Sequence, residues 1–177
     1  MSLMLYLASN VFLDTVKNPH YRTLSVNEAM EMGMSVPEDL LAPGIDRDEP
    51  GVLLWSDISI VIDTDKGTVD DGNFDDDFSI YSPEPEFDPS GHSKPFRVVI
   101  ECRMTEGRAK RILDYIRGQL EKTGEIQLWS VLLSDDDQKT VWYDARIDEL
   151  TPEDLLEIEK LPCREEPPKM HCVRIRK

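Results

Sequence analysis

From Phe96 onward, the spacing of apolar residues switches between the period of strands and the period of helices. Residues 96–104 alternate between apolar and polar side chains, which predicts a strand with one buried face. Apolar residues then recur at three- and four-residue steps, which predicts an amphipathic helix that Thr105 caps and Gly124 ends. Residues 126–133 are apolar at almost every position, as in a strand that is covered on both faces.

A second helix lies between two further predicted strands. After the turn at residues 134–137, residues 140–147 predict a strand. Thr151-Pro152-Glu153-Asp154 predicts the start of a helix, because threonine caps, proline suits the first turn and the aspartate side chain can bond back to the cap. Pro162 ends this helix, and residues 171–176 predict the last strand.

The resulting order of elements, β-α-β-β-α-β, is typical of the ferredoxin-like split βαβ arrangement. We therefore predict an α+β fold in which residues 96–177 form an antiparallel sheet with two helices on one face. The other face of such a sheet is left for a partner domain, another subunit or a ligand.

The first 95 residues are less regular and predict a β-rich portion with short helices. Ser25-Val26-Asn27-Glu28 is a capping box that opens one such helix. Residues 52–62 are strongly β-forming, and we expect residues 78–81 to pair with them. A proline-rich loop at residues 82–94 precedes a predicted boundary near Pro95. The prediction is two portions, residues 1–95 and 96–177, packed together or continuous as one domain.

Negative charge is concentrated in the first portion. The chain has 36 acidic and 20 basic residues, a formal charge of −16. Residues 1–56 carry 8 acids and 3 bases, residues 57–95 carry 11 and 2, and residues 96–177 carry 17 and 15. Such a chain is repelled by phosphate backbones and anionic lipid, which counts against nucleic acid and membrane surfaces as partners. It favours a basic protein as the partner.

The compartment is predicted from two further features. No apolar run approaches the roughly 20 residues that a membrane helix needs. Three cysteines form no disulfide framework and fit a reducing compartment, so we expect a cytoplasmic protein.

An acidic run at residues 63–77 is the strongest candidate for ion binding. Asp63 and Asp65 match the first and third positions of an EF-hand loop. Gly67 then stands where a third oxygen ligand belongs, and Thr68 where the sharp turn needs glycine. We therefore favour a solvated hairpin connection and predict no cofactor, with Asp63 and Asp65 as weak metal candidates.

Signals for catalysis are sparse. The chain lacks a nucleophile elbow, a phosphate-binding loop and a paired-histidine metal motif. Cys102, Cys163 and Cys172 are isolated, whereas structural zinc sites use close cysteine pairs. His92 lies in a loop without a recognisable partner. These features favour a protein that is not an enzyme.

Trp142 lies on the face of its strand opposite to Val141 and Tyr143. If those neighbours face the helices, Trp142 lies on the other face of the sheet. We expect residues 1–95 to cover it there, and an exposed tryptophan would instead be a binding anchor.

The favoured function is a non-catalytic protein-binding module that presents its acidic portion to a basic partner. In size, acidity, β content and scarcity of histidine, the chain resembles bacterial immunity proteins, which neutralise a secreted toxin; the resemblance covers no defined segment. One alternative is a metal-dependent hydrolase or phosphoesterase that uses residues 63–77. Another is a small-ligand sensor on the free sheet face. The predicted binding residues are Asp70, Asp71, Asp75, Asp76, Asp77 and Trp142.

Overall fold

The computed structural model describes residues 2–56, 61–63, 68–70, 74–133, 138–164 and 166–177. The chain divides into two compact units. Unit 1 combines residues 1–18 with residues 73–177, and unit 2 consists of residues 19–72. That the chain folds as two portions, residues 1–95 and 96–177, stays a prediction.

Unit 1 is built on a six-stranded mixed sheet. Its strands, in chain order, are β1 (Ser2–Ser9), β6 (Ser79–Tyr81), β7 (Phe96–Glu101), β8 (Glu125–Leu133), β9 (Thr140–Arg146) and β10 (Met170–Arg176), the intervening numbers belonging to unit 2. Across the sheet the order is β6-β7-β1-β8-β10-β9. All neighbours are antiparallel except β9 and β10, which are parallel.

Two helices connect these strands and confirm the signals at their ends. Helix α2 (Glu106–Thr123) is capped by the Thr105 side chain, and it ends at Gly124, whose φ of 70° suits glycine. Helix α3 (Pro152–Lys160) begins with the predicted capping box of Thr151 and Asp154. It joins β9 to β10, the crossover that a parallel pair requires.

The two faces of the sheet carry separate hydrophobic clusters. The larger cluster packs the sheet against both helices, with Leu7, Val98 and Leu128 facing Ile112 and Leu155. The smaller cluster lies on the opposite face: Tyr6, Ala8, Val99, Trp129, Val131, Met170 and Cys172. Strands β1 and β8 are therefore buried on both faces, which agrees with the prediction that residues 126–133 are apolar at almost every position.

The α+β class is confirmed, whereas the ferredoxin-like strand arrangement is not. The predicted elements follow one another along the chain, but β10 lies between β8 and β9, which a split βαβ unit would pair as a hairpin. Strand β1 lies between β7 and β8 and is buried on both faces, as is typical of a strand inside a sheet that is covered on both sides. The parallel pair of β9 and β10 makes the sheet mixed rather than antiparallel.

Strand β6 also differs from its predicted pairing. It pairs with β7, whereas we expected residues 78–81 to pair with residues 52–62. Ile80 is fully buried against the helix side of the sheet, so the apolar character of this short strand serves unit 1.

Unit 2 contains short elements: β2 (Tyr21–Leu24), α1 (Val26–Glu31), β3 (Leu53–Ser56), β4 (Val61–Asp63) and β5 (Thr68–Asp70). Helix α1 has the predicted capping box of Ser25 and Glu28 and buries Val26 and Ala29. Strand β2 pairs with β3, and β4 pairs with β5, both antiparallel.

Among the described residues, none of the helices has the length and apolar character needed to span a membrane.

Candidate functional site

The carboxylates of unit 2 that the structure describes are all exposed. Between residues 19 and 56 there are seven acidic side chains and two arginines, a formal charge of −5. All seven carboxylates are in contact with water, so none of these side chains is part of a hydrophobic core. The seven are Glu28, Glu31, Glu38, Asp39, Asp46, Asp48 and Glu49, and we name them the unit 2 acidic surface.

Unit 1 differs, because lysines and arginines pair with many of its carboxylates. Glu125 binds Lys94 and Arg176, and the bond from Lys94 is the main reason that the pKa of Glu125 lies below its usual range. Asp144 binds Arg174 at 2.6 Å. Further ion pairs hold Asp14, Asp77, Asp88, Asp114, Glu121, Asp148 and Glu157. The two opposite charges of each ion pair largely cancel each other's electric field. In this respect unit 1 differs from the unit 2 acidic surface.

Asp77 has a structural partner rather than an open position. Its carboxylate accepts a hydrogen bond from Arg108 at 2.9 Å and one from Asn18 at 2.8 Å. The Arg108 guanidinium is fully buried and also donates to the carbonyl oxygens of Phe74 and Arg103. These contacts attach residues 74–78 to the start of α2.

Asp75 and Asp76 are both exposed, but their surroundings differ. The Asp75 carboxylate lies directly against Gly107 in the first turn of α2, where the partial positive charge of a helix N-terminus favours an anion. Asp76 lies in the turn between these two carboxylates. The structure thus places Asp75, Asp76 and Asp77 together in unit 1, and whether they bind a partner stays a prediction.

The remaining acidic predictions fall where side chains are not described. The side chains of Asp63 and Asp70 are not described, and Asp65 and Asp71 lie outside the described residues. Within the described part of the chain, no group of three or more His, Cys, Asp or Glu side chains is placed to hold a metal ion. The hydrolase alternative therefore stays a prediction.

The cysteines lie apart, and two of them are shielded. Burial raises the pKa of the Cys102 thiol and that of the Cys172 thiol to about 12 each, so both stay protonated near neutral pH. Cys163 is exposed, and all three are free thiols. His171 is buried and stacks on Tyr143, whose hydroxyl lies 3.2 Å from the His171 Nδ1.

A cavity of about 240 Å³ lies in unit 1 beside the end of β7. Leu5, Ile100 and Met104 line it together with Cys102 and Glu159. Burial raises the pKa of Glu159 above its usual range. A protonated thiol is a poor nucleophile, so this lining favours packing over covalent chemistry. A ligand sensor at the sheet stays a prediction.

Trp142 projects from β9 onto the sheet face that carries the smaller cluster. It is 41% exposed, whereas we expected it to be covered. Its ring packs edge-on against Trp129, with centroids 5.1 Å apart, and Trp129 stacks on Tyr6. The Arg174 guanidinium lies 5.6 Å from the centre of the Trp142 ring. The buried aromatic rings hold Trp142 in place while one side stays accessible.

Two features were missed by sequence reasoning. Arg108 lies off the apolar stripe of α2 and reads as solvated, yet it is buried because Asp77 and two carbonyls reach it from other parts of the chain. Tyr143 lies on the helix side of the sheet beside Val173, and it is 40% exposed there because β9 is the last strand in the sheet order. Neither the partner of Arg108 nor the strand order leaves a local signal in the sequence.

No protein-family model, curated protein or solved structure matches this chain, so the fold and the described side chains are what bear on its function.

Proposed function

We propose that the protein is a non-catalytic binding module whose unit 2 acidic surface receives a basic protein. The observation that carries this proposal is the contrast in charge compensation between the units. The described part of unit 2 has seven carboxylate side chains and two arginines. The described part of unit 1 has twenty carboxylate side chains and seventeen lysines or arginines, and nine of those carboxylates are held in ion pairs. An uncompensated surface acts at a distance on a charged partner; a compensated one does not.

Electrostatics of this kind acts mainly on recognition. Complementary charge raises the rate of encounter and disfavours partners of the wrong sign. Exposed ion pairs form at little cost in desolvation, so the surface suits a partner that must be captured quickly. Toxic nucleases have basic surfaces that hold nucleic acid, and the compositional resemblance to immunity proteins points to a partner of that kind.

The compartment belongs to the same proposal. Three free thiols agree with a reducing environment, and we propose that the protein acts in the cytoplasm.

Two charge-matched variants test the proposal. The first replaces Glu31, Glu38, Asp39 and Glu49 of unit 2 with the corresponding amides. The second replaces four exposed acids of unit 1, Glu84, Glu86, Glu153 and Glu166, in the same way. Both raise the formal charge from −16 to −12, so they differ in the position of the removed charge alone.

The measurement is the capture of proteins from the basic fraction of a bacterial lysate by each immobilised protein. We expect the unit 2 variant to lose a protein that the wild type and the unit 1 variant both retain. Equal retention by all three would show that unit 2 is not the binding surface. Equal loss by both variants would show that total charge matters rather than its location.

A further inference from the structure

The two edges of the unit 1 sheet are protected to different degrees. At one edge, β6 has three residues, and Val16 forms an isolated bridge with Ile80. The Val16 N–H donates a hydrogen bond to the Ile80 carbonyl oxygen at 2.8 Å, and the Ile80 N–H donates one to the Val16 carbonyl oxygen at 2.8 Å. The outward backbone groups of β6 are thus already paired.

The other edge, β9, is longer and open. It has seven residues, and in the described part of the chain it pairs with β10 and with no second strand. Its register with β10 is one to one from Thr140 to Arg146, so it contains no bulge. Proline, bulges and short length protect many edges from strand addition, and β9 has none of these three. Its edge does carry two charged side chains, Asp144 and Arg146, which is a further protecting device.

The hydrogen bonds at its two ends show which residues point outward. The Met170 N–H donates to the Lys139 carbonyl, and the Ile147 N–H donates to the Arg176 carbonyl. In a parallel ladder, alternate residues of a strand bond to one neighbour. The odd-numbered residues of β9 therefore bond to β10. The even-numbered residues direct their N–H and C=O groups away from the sheet: Thr140, Trp142, Asp144 and Arg146. We name these four the β9 edge.

Side chains near the β9 edge give an added strand something to pack on. Trp142 is 41% exposed on one face and Tyr143 is 40% exposed on the other. The charged residues of the edge are engaged within unit 1, Asp144 with Arg174 and Arg146 with Asp148. An added strand would therefore meet aromatic surface on both faces.

We propose that the β9 edge accepts an extended, basic segment of a partner protein as a seventh strand of the sheet. Main-chain hydrogen bonds determine that the occupant is extended. Its charge follows from the excess of carboxylates in the chain, whose formal charge of −16 attracts a basic segment. A second copy of the chain is disfavoured, because each copy carries a formal charge of −16. The edge belongs to unit 1, so its occupancy does not depend on what unit 2 binds.

The probe is a capped eight-residue peptide that alternates arginine and valine. Its control has the same sequence with all eight residues N-methylated, which keeps the charge and removes every residue N–H that could pair with β9. Backbone amide hydrogen exchange is followed by NMR. In the free protein, we expect the amides of Trp142 and Asp144 to exchange faster than those of Val141 and Tyr143. The unmodified peptide is expected to slow Trp142 and Asp144 about tenfold or more.

Two protein variants separate strand addition from charge attraction. Asp144→Pro removes an outward N–H without removing a bond to β10, and Asp144→Ala removes the same carboxylate while keeping the N–H. We expect Asp144→Ala to keep protection by the peptide at Trp142, and Asp144→Pro to lose it. If Asp144→Pro does not fold, the comparison of the two peptides on Asp144→Ala still decides.

Four results would overturn the proposal. They are slow exchange at Trp142 and Asp144 in the free protein, absence of protection at millimolar peptide, equal protection by the N-methylated peptide, and dimerisation of the free protein that Asp144→Pro abolishes. The last would identify a second copy as the occupant of the β9 edge.

Discussion

Glu159 shows how a single half-buried carboxyl affects stability. Burial beside the cavity raises its pKa, so the folded protein holds the proton more tightly than the unfolded chain. A carboxyl with a raised pKa favours folding when it is protonated, and this contribution is lost as the pH rises from its ordinary value through the raised one. Near neutral pH, Glu159 therefore opposes folding.

We predict that Glu159→Gln raises the thermal stability at pH 7. The side chain is only partly buried, so solvent screening limits the expected rise in Tm to about 1–2 °C. The matched control on α3 is Glu157→Gln, since Arg164 holds the pKa of the exposed Glu157 below its usual range. Calorimetry is expected to show no gain for the control. A gain for Glu159→Gln that persists unchanged at pH 3 would contradict this explanation, because the wild-type carboxyl is neutral there.

The three thiols are predicted to differ in reactivity. At pH 8, iodoacetamide is expected to label the exposed Cys163 well before Cys102 or Cys172, whose thiols have a pKa of about 12 because they are buried. Mass spectrometry of tryptic peptides distinguishes the three sites. Labelling in urea is the control, and all three should then react. Early labelling of Cys102 in the native protein would disprove the assigned burial.

Among the elements, α2 illustrates a conflict between helix propensity and packing. Alanine is more favourable than glycine inside a helix by about 1 kcal/mol. A Cβ at Gly107 would overlap the Asp75 carboxylate, whereas a Cβ at Gly118 would meet no described atom within 4 Å. The two glycines of one helix therefore provide a matched comparison.

We predict opposite effects for the two substitutions. Gly118→Ala should raise the free energy of unfolding by up to about 1 kcal/mol. Gly107→Ala should lower it by about 0.5–1 kcal/mol, because the Asp75 carboxylate must leave the helix N-terminus. Urea denaturation measures both. In the Asp75→Ala background, Gly107→Ala should instead be stabilising; if it remains destabilising there, the Asp75 contact is not the cause.

The elements also show what the sequence contains and what it does not. Thr105, Gly124 and the capping box at Thr151 determine helix ends through neighbours three or four residues away, so both helices of unit 1 were predictable. Strand partners are chosen by distant segments. The position of β10 between β8 and β9 and the burial of Arg108 against Asp77 both depend on contacts that no local pattern encodes.

At the scale of the whole chain, the distribution of compensated charge is more informative than the total. The sequence locates the acidic excess in the first 95 residues. Three of these early acids are neutralised by bases of unit 1. Lys122 binds Asp14, Arg108 binds Asp77 and Arg97 binds Asp88. The described acids of unit 2 keep their exposure. Two of these three ion pairs join residues far apart in the chain, Asp14 with Lys122 and Asp77 with Arg108.

The association rate of the captured basic partner with the wild-type protein, measured at 50 and at 500 mM NaCl, tests the central claim most directly. If the unit 2 acidic surface attracts this partner, raising the salt should slow association by roughly tenfold or more, because the Debye length falls to only a few ångströms. The unit 2 variant should associate slowly at both concentrations. An association rate that is the same at both salt concentrations for the wild type would contradict the proposed role of the unit 2 acidic surface.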